Sequence, residues 1–399
     1  MKKLTINGGR SPVRKNKIGY GKQFIDDEDI KAVVDVLQGD LITCGPKVSE
    51  LEHKLCNLTG AKYAVVLANG TAALHVACLA GKIKPEDEVI TTPMTFAASA
   101  NCVLYCGSKP IFADINPETY NIDPDDIERK INKNTKAVIA VDFTGQAVEL
   151  ARIMDICRKH NLLLIEDAAH SIGTKYNGKP IGSIADMTTF SFHPVKTVTG
   201  GEGGAILTNS KEYYDKLMLY RTHGIAKNSS QMIYPTGELW YYEQVDLGYN
   251  YRLTDFQAAL ISSQLNKLDK FSYRRKEIVQ NYDEAFSKVP EIIIQKEIPE
   301  SDTTRHLYII RLRLDMLNAT RKQIFDALYA ENIGCNVHYI PVYWHPYYQK
   351  LGYKKGLCSN AEKLYEEIIS IPLYYSMTDE DVDGVIEAVN KVTDYYRKE

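Results

Sequence analysis

The chain has 399 residues, 44% hydrophobic and 25% charged, which excludes a short peptide module or a disordered chain and favours one large domain with a smaller companion. Its 48 basic residues against 51 acidic ones leave a net charge of -3. No broad basic surface is therefore on offer to nucleic acid or an anionic membrane, and any anion must be held locally.

The opening Met1-Lys2-Lys3-Leu4 has no apolar stretch behind its lysines, and no run approaches membrane-spanning length, so a cytoplasmic protein with no membrane partner is expected. The eight cysteines show no CxxC or Cys/His zinc spacing and the nine histidines no HExxH, so reduced thiols and no metal are expected.

After an N-terminal arm (1-25), Ile30, Val33, Val34 and Leu37 recur at helical spacing behind Asp26-Asp27 and predict an amphipathic helix opening a large domain, 26-255. Apolar runs at 63-68, 88-92, 110-115, 136-143 and 162-167 then alternate with helical stretches, one of which carries Leu150, Ile153, Met154 and Cys157 on one face. That alternation predicts an α/β fold, a mostly parallel sheet sandwiched by helices. Runs at 187-192 and 205-209 bracket a glycine-rich loop and extend the same sheet. A linking helix is expected over 256-289. A smaller C-terminal α+β domain follows over 290-399, with a capping box at Thr320 and Gln323 and a helix cap at Thr378.

Three places carry chemistry. The first strand runs into Asn69-Gly70-Thr71-Ala72, where a helix N-terminus would aim free amides at a phosphate, although an Asn-Gly turn with a threonine cap reads equally well. The 162-167 run ends in Glu166-Asp167-Ala168-Ala169-His170. A carboxylate at the carboxyl end of a strand meets ligands in open α/β sheets, or simply caps a helix. Lys196 stands in the loop Ser191-Phe-His-Pro-Val-Lys-Thr-Val-Thr-Gly-Gly-Glu-Gly-Gly204. It is either a surface residue or an amine brought close to a planar cofactor. Gly173 to Lys179 has P-loop spacing, but Pro180 stands where a hydroxyl must bind magnesium.

Taken in order, Asn69-Gly-Thr-Ala-Ala-Leu74, Thr92-Pro-Met-Thr-Phe96, Glu166-Asp-Ala-Ala-His170, Ser191 to Lys196, Gly201-Glu-Gly-Gly204 and Leu247-Gly-Tyr-Asn-Tyr-Arg-Leu-Thr-Asp255 resemble the DegT/DnrJ/StrS sugar aminotransferases. The resemblance implies a fold-type I transferase dependent on pyridoxal 5'-phosphate, cycling through pyridoxamine 5'-phosphate. Val141-Asp-Phe-Thr-Gly145, His306-Leu-Tyr308 and Val337-His-Tyr-Ile-Pro341 are most similar to the pseudaminic acid branch, which aminates carbon 4 of a UDP-linked 4-keto-6-deoxy-N-acetyl sugar. Two departures stand out: Gly200 replaces a usual threonine and is expected to loosen the lysine loop, and Ile6-Asn-Gly-Gly-Arg resembles other branches.

Carried over by motif, Lys196 would hold the cofactor covalently and move protons, and Asp167 would pair with the pyridine nitrogen. Thr71, Ala72 and Ser191 would bind the phosphate, Phe96 would stack on the ring, and His170 would lie on its hydroxyl side. Asn250 would reach the phosphate in the partner subunit of a homodimer with shared sites. Tyr20, Thr43, Gly45, His338 and Tyr339 would contact the sugar, with L-glutamate as amino donor. Alternatives are amination of another nucleotide keto sugar at carbon 3 or 4, a dehydratase relative, or a silent sugar-nucleotide binder. Dehydratases of this kind carry histidine at the lysine position, so Lys196 argues against the second, and intact Lys196 and Asp167 argue against the third.

Overall fold

In the computed structural model, which describes residues 3-9 and 11-398, the apolar runs between Tyr63 and Thr208 form one seven-stranded sheet. Its strands are β1 (Tyr63–Leu67), β2 (Glu88–Thr91), β3 (Lys109–Phe112), β4 (Thr135–Val141), β5 (Leu163–Asp167), β6 (Met187–Ser191) and β7 (Gly204–Thr208), in the order β1-β7-β6-β5-β4-β2-β3. Only β7 runs antiparallel to its neighbours β1 and β6; β6-β5-β4-β2-β3 pair in parallel. Each strand is apolar on both faces because helices cover both. Val138, Ala140 and Leu164 belong to one core cluster, Ala137, Ile139, Leu163 and Ile165 to the other. The carboxyl ends of the parallel strands share one edge, and the polar strings found in the sequence lie along it.

Helices α1 (Asp27–Leu37), α2 (Pro46–Thr59), α3 (Gly70–Ala80), α4 (Ala98–Tyr105) and α5 (Leu150–His160) alternate with the strands as expected. The apolar stripe of α1 faces the other way from a core stripe. Ile30 and Leu37 are each 54% exposed, whereas Asp29 and Val36 face inward. The cause is Asp29, which closes the capping box with Asp26 and also accepts from Gln264 and Lys267. A buried carboxylate with two partners fixes the helix rotation and turns the aliphatic stripe outward, where Leu41 and Ile42 extend it.

The linking helix expected over 256-289 is two helices, α6 (Asp255–Leu265) and α7 (Leu268–Phe286). The break falls at Lys267. Its amine is drawn into the acidic start of α1, bonded to Asp26 and 2.9 Å from Asp29. Burial disfavours the ammonium, but the two carboxylates outweigh it and raise its pKa. Beyond the break, strands β8 (Ile292–Ile294), β9 (Tyr308–Leu312) and β10 (Ile368–Ile371) make a small antiparallel sheet.

The domain boundaries of the sequence reading shift. The core over the small sheet takes in Ile278, Tyr282 and Phe286 from α7, together with Leu4 and Ile18 from the region read as a separate arm. The amides of Thr5 and Val13 donate to the Glu331 carboxylate, both at 2.9 Å, and Gly334 donates to the Ile18 carbonyl at 2.7 Å. The N-terminal segment is thus structurally part of the small domain, and α7 is shared between the two cores, since Leu268 packs in the large one.

Candidate active site

Strand β1 delivers the chain to Asn69, which caps α3 by accepting the amide of Ala72 at 2.8 Å. The cap is Asn69, not Thr71, and the Ala72 amide, one of those assigned to a phosphate, is engaged by it. The first-turn amides of Gly70 and Thr71 have no acceptor within the helix and find none elsewhere among the described residues, which leaves them at the positive end of its dipole. Ser191, ending β6, lies against this turn: a Cβ on Gly70 would stand 2.9 Å from Ser191 Cβ and 3.2 Å from its Oγ. Gly70 is needed for that close approach, which brings the Ser191 hydroxyl beside the free amides.

Asp167 ends β5 and is buried. Its Oδ2 accepts from the Ser99 hydroxyl at 2.7 Å and its Oδ1 from the Ala169 amide at 3.2 Å. Burial pushes its pKa up, while Ser99, Ala169 and the Lys196 charge pull the other way. Ser99, near the start of α4, hydrogen-bonds Thr95 at 2.8 Å and went unnoticed in the sequence, where a serine in an alanine-rich helix carries no signal. Behind Asp167 lie two further buried carboxyls. Burial raises Asp142 to about 7 and Glu166 well above the usual range, with the Asp142 charge adding to the Glu166 shift.

Lys196 sits in the β6-β7 loop, and its amine makes no hydrogen bond or ion pair among the described residues. Burial lowers its pKa to about 8, opposed by the charge of Asp167. The loop is not loosened by Gly200. The Gly200 amide donates to Phe192 O at 2.9 Å, and Phe192 donates to Gly203 O at 2.8 Å. A Cβ at Gly200 would meet Ile261 of α6 at 2.7 Å, so glycine lets that helix close onto the loop.

The small domain supplies a wall of rings. His170, following β5, lies with its centroid 4.5 Å from His306, and Tyr339 Oη is 3.3 Å from His170 Nε2. Burial holds His170 and His306 well below the ordinary histidine pKa, and the Lys196 charge adds to both. His338, expected to contact sugar, has both nitrogens occupied, Nδ1 with Ser370 Oγ at 2.8 Å and Nε2 with Asn336 at 3.3 Å. Burial takes its pKa down to about 4. Tyr20 lies against it, centroids 5.5 Å apart. Phe96 is 63% exposed, its ring tilted against that of Tyr339 with centroids 6.3 Å apart.

Two of the expected sugar contacts stand differently. The Gly45 amide donates to Asp255 at 2.8 Å, so glycine there admits the Asp255 carboxylate, which a Cβ would meet at 2.8 Å. Thr43 is exposed beside it and bridges to Thr254. Asn250 is exposed, and its side chain bonds to no site residue of its own chain. Its loop is pinned where Ala68 donates to Tyr251 O at 2.8 Å.

The profile of the DegT/DnrJ/EryC1/StrS aminotransferase family matches residues 23–390. The chain belongs to this family. It is similar to a UDP-4-amino-4,6-dideoxy-N-acetyl-beta-L-altrosamine transaminase of Campylobacter jejuni, 40% identical over 384 residues that cover 96% of this chain and 99% of that one. The structure of Helicobacter pylori PseC, an aminotransferase involved in the biosynthesis of pseudoaminic acid, has a TM-score of 0.89 at 32% identity, covering 96% of this chain and 100% of that chain. A sugar aminotransferase of Streptococcus pneumoniae, Spr1654 in its PMP form, also gives 0.89, at 31% identity over 95% and 99% of the two chains.

The chain is therefore a fold-type I, pyridoxal-phosphate-dependent nucleotide-sugar aminotransferase. The residues present fit that cofactor: free amides at a dipole end for a phosphate, a buried carboxylate at a strand end, a free amine, and an unpartnered buried nitrogen, His170 Nδ1.

Proposed function

We propose that the chain transfers the amino group of L-glutamate to carbon 4 of a UDP-linked 4-keto-6-deoxy-N-acetyl sugar. It works in the cytoplasm as a homodimer in which Asn250 completes the partner's phosphate site. The observation that carries the reading is the free amine of Lys196, held near pH 8 by burial, in the field of the buried Asp167. The substrate assignment draws on the names of the relatives above together with the Val141 to Gly145 and Val337 to Pro341 strings.

When bound, pyridoxal 5'-phosphate supplies the electron sink and carries the amino group between the two substrates. Gly70, Thr71 and Ser191 would hold its phosphate, and Lys196 would anchor it. A lysine with a pKa of about 8 has a substantial neutral fraction at neutral pH, so Nζ can accept a proton from a substrate carbon and return it. Asp167, whose ionised form the Ser99 and Ala169 hydrogen bonds favour against its burial, would pair with the pyridine nitrogen and favour its protonated form. His170 would lie on the side of the ring hydroxyl, and Phe96 would stack on one ring face. The exposed aliphatic side chains of α1 with those of Leu41 and Ile42, and separately the exposed Leu247 three residues before Asn250, support the dimer.

The test is incubation with L-glutamate and a panel of UDP- and dTDP-linked 3- and 4-keto sugars. A new amine on carbon 4 of the UDP-linked N-acetyl sugar is expected. Amination only at carbon 3, or only of dTDP sugars, overturns the substrate assignment.

A further inference from the structure

His170 is enclosed from three sides. His306 packs 4.5 Å away centroid to centroid, Phe143 lies at 6.4 Å, and the Tyr339 hydroxyl stands 3.3 Å from Nε2. The chain places His306 through backbone that side chains rarely adopt. Arg305, just before it, has φ 48°, and Thr144, opposite, has φ 63°. The Thr144 carbonyl accepts the amides of His306 at 2.7 Å and Leu307 at 3.2 Å. Arg275, a buried guanidinium with no carboxylate partner among the described residues, donates to the carbonyls of Arg305 and His306 at 3.3 Å and of Leu373 at 3.1 Å. Left-handed backbone at a non-glycine residue persists only where its surroundings over-determine it, and two such residues with a buried arginine clamp here fix one ring.

The hydrogen bonding of His170 admits one economical arrangement. Among the described residues the Tyr339 hydroxyl has a single partner, His170 Nε2, and His170 Nδ1 has none despite its burial. If the phenol donates, the imidazole proton is on Nδ1, and that N–H is the one donor of the pair left unpaired. If Nε2–H donated instead, the phenol proton and the buried Nδ1 lone pair would both be left without a partner among the described residues, the costlier outcome. A neutral imidazole has only one N–H, so the tautomer decides whether His170 can donate to an anionic oxygen placed before Nδ1. Burial and the nearby Lys196 charge keep the ring neutral.

We propose that Tyr339 and His306 are positioning residues for His170: Tyr339 fixes the Nδ1–H tautomer by donating to Nε2, and His306, packed on the ring, blocks the flip that would exchange Nδ1 for carbon. Tyr339, expected from the sequence to touch sugar, instead acts through His170. The consequence for the cofactor hydroxyl rests on the role of His170 given above; the tautomer itself does not.

The experiment is nitrogen NMR on the full-length chain with labelled histidine, with and without pyridoxal 5'-phosphate, using His170→Gln to assign the signal. The Nδ1–H pattern is expected for His170 at neutral pH even without cofactor, so failure here is separable from failure of the cofactor role. Tyr339→Phe should mix the two tautomers and weaken cofactor binding by about fivefold, the loss of one neutral hydrogen bond. His306→Leu should keep the Nδ1–H pattern but broaden or double the His170 signals. An Nε2–H pattern in the wild-type chain, or one unmoved by Tyr339→Phe, overturns the proposal; a single sharp signal in His306→Leu removes His306 from it.

Discussion

Ser99→Ala deletes one hydroxyl, yet its effect should be felt at the far end of the cofactor site. The Ser99 Oγ to Asp167 Oδ2 bond is 2.7 Å long and both residues are buried, leaving after its loss only the Ala169 amide at 3.2 Å. A hydrogen bond to an ionised group contributes about 1.5–3 kcal/mol, and about 1.4 kcal/mol corresponds to one pKa unit, so the Asp167 pKa should rise by roughly 1–2 units. This adds to the rise that burial already imposes. The hydroxyl stabilises only the carboxylate, so the protonated form survives to higher pH without it, and the acid limb of kcat/KM moves upward by the same roughly 1–2 units. Stability follows with a definite sign. A carboxyl whose folded pKa lies above its unfolded value destabilises the fold as pH rises through that window, and Ser99→Ala enlarges the effect. The cofactor-free variant should therefore lose most Tm at neutral pH and recover toward wild type as pH falls. Transamination rates and thermal melts across pH measure both, with Ser99→Thr as the hydroxyl-keeping control. An unmoved acid limb, together with a Tm loss equal at every pH, would refute the coupling of Ser99 to Asp167.

Other outcomes follow from the same geometry. With the cofactor removed, Lys196 at a pKa of about 8 should be the lysine most rapidly acylated at pH 8, since an ordinary lysine near pKa 10.4 is only roughly 0.4% neutral there; peptide mapping that finds Lys196 no faster than surface lysines contradicts the burial argument. Gly70→Ala puts a Cβ 2.9 Å from Ser191 Cβ. Overpacking costs about 1–3 kcal/mol, so calorimetry should find pyridoxal 5'-phosphate bound roughly 5- to 150-fold more weakly, and unchanged affinity sinks the phosphate cradle. Asn250→Asp and Lys196→Ala should each be inactive alone, yet their exchanged mixture should regain about a quarter of wild-type activity, because about half the dimers then hold one intact site. If mass spectrometry confirms exchange and activity stays at parental levels, Asn250 serves its own chain.

The sheet was legible because its strands are buried on both faces and leave continuous apolar runs, and all seven lie within a few residues of where the sequence places them. Asp167 was legible as a carboxylate ending a strand and Lys196 as the lone lysine of a glycine-rich loop, while the Asn69-to-Ala72 turn read equally well as a phosphate cradle or an ordinary helix cap. What escaped depends on partners far away in sequence. The periodicity of α1 revealed an apolar stripe but not its direction, which Asp29 decides through Gln264 and Lys267. The continuous helical pattern over 256-289 concealed the break at Lys267, whose amine answers carboxylates some 240 positions earlier. Ser99 and Arg275 are ordinary residue types whose roles rest on partners 68 and about 30 to 98 positions away, and the His170–His306–Tyr339 group is assembled only by the packing of the small domain on the large one.

The Lys196 amine is the group on which the chemistry depends. Borohydride reduction of the holoenzyme, followed by proteolysis and mass spectrometry of the cofactor-bearing peptide, reads directly which lysine carries pyridoxal phosphate. The structure predicts a single label at Lys196 in the β6-β7 loop, absent from Lys196→Ala. A label on any other lysine, or a labelled Lys196→Ala chain, would contradict it.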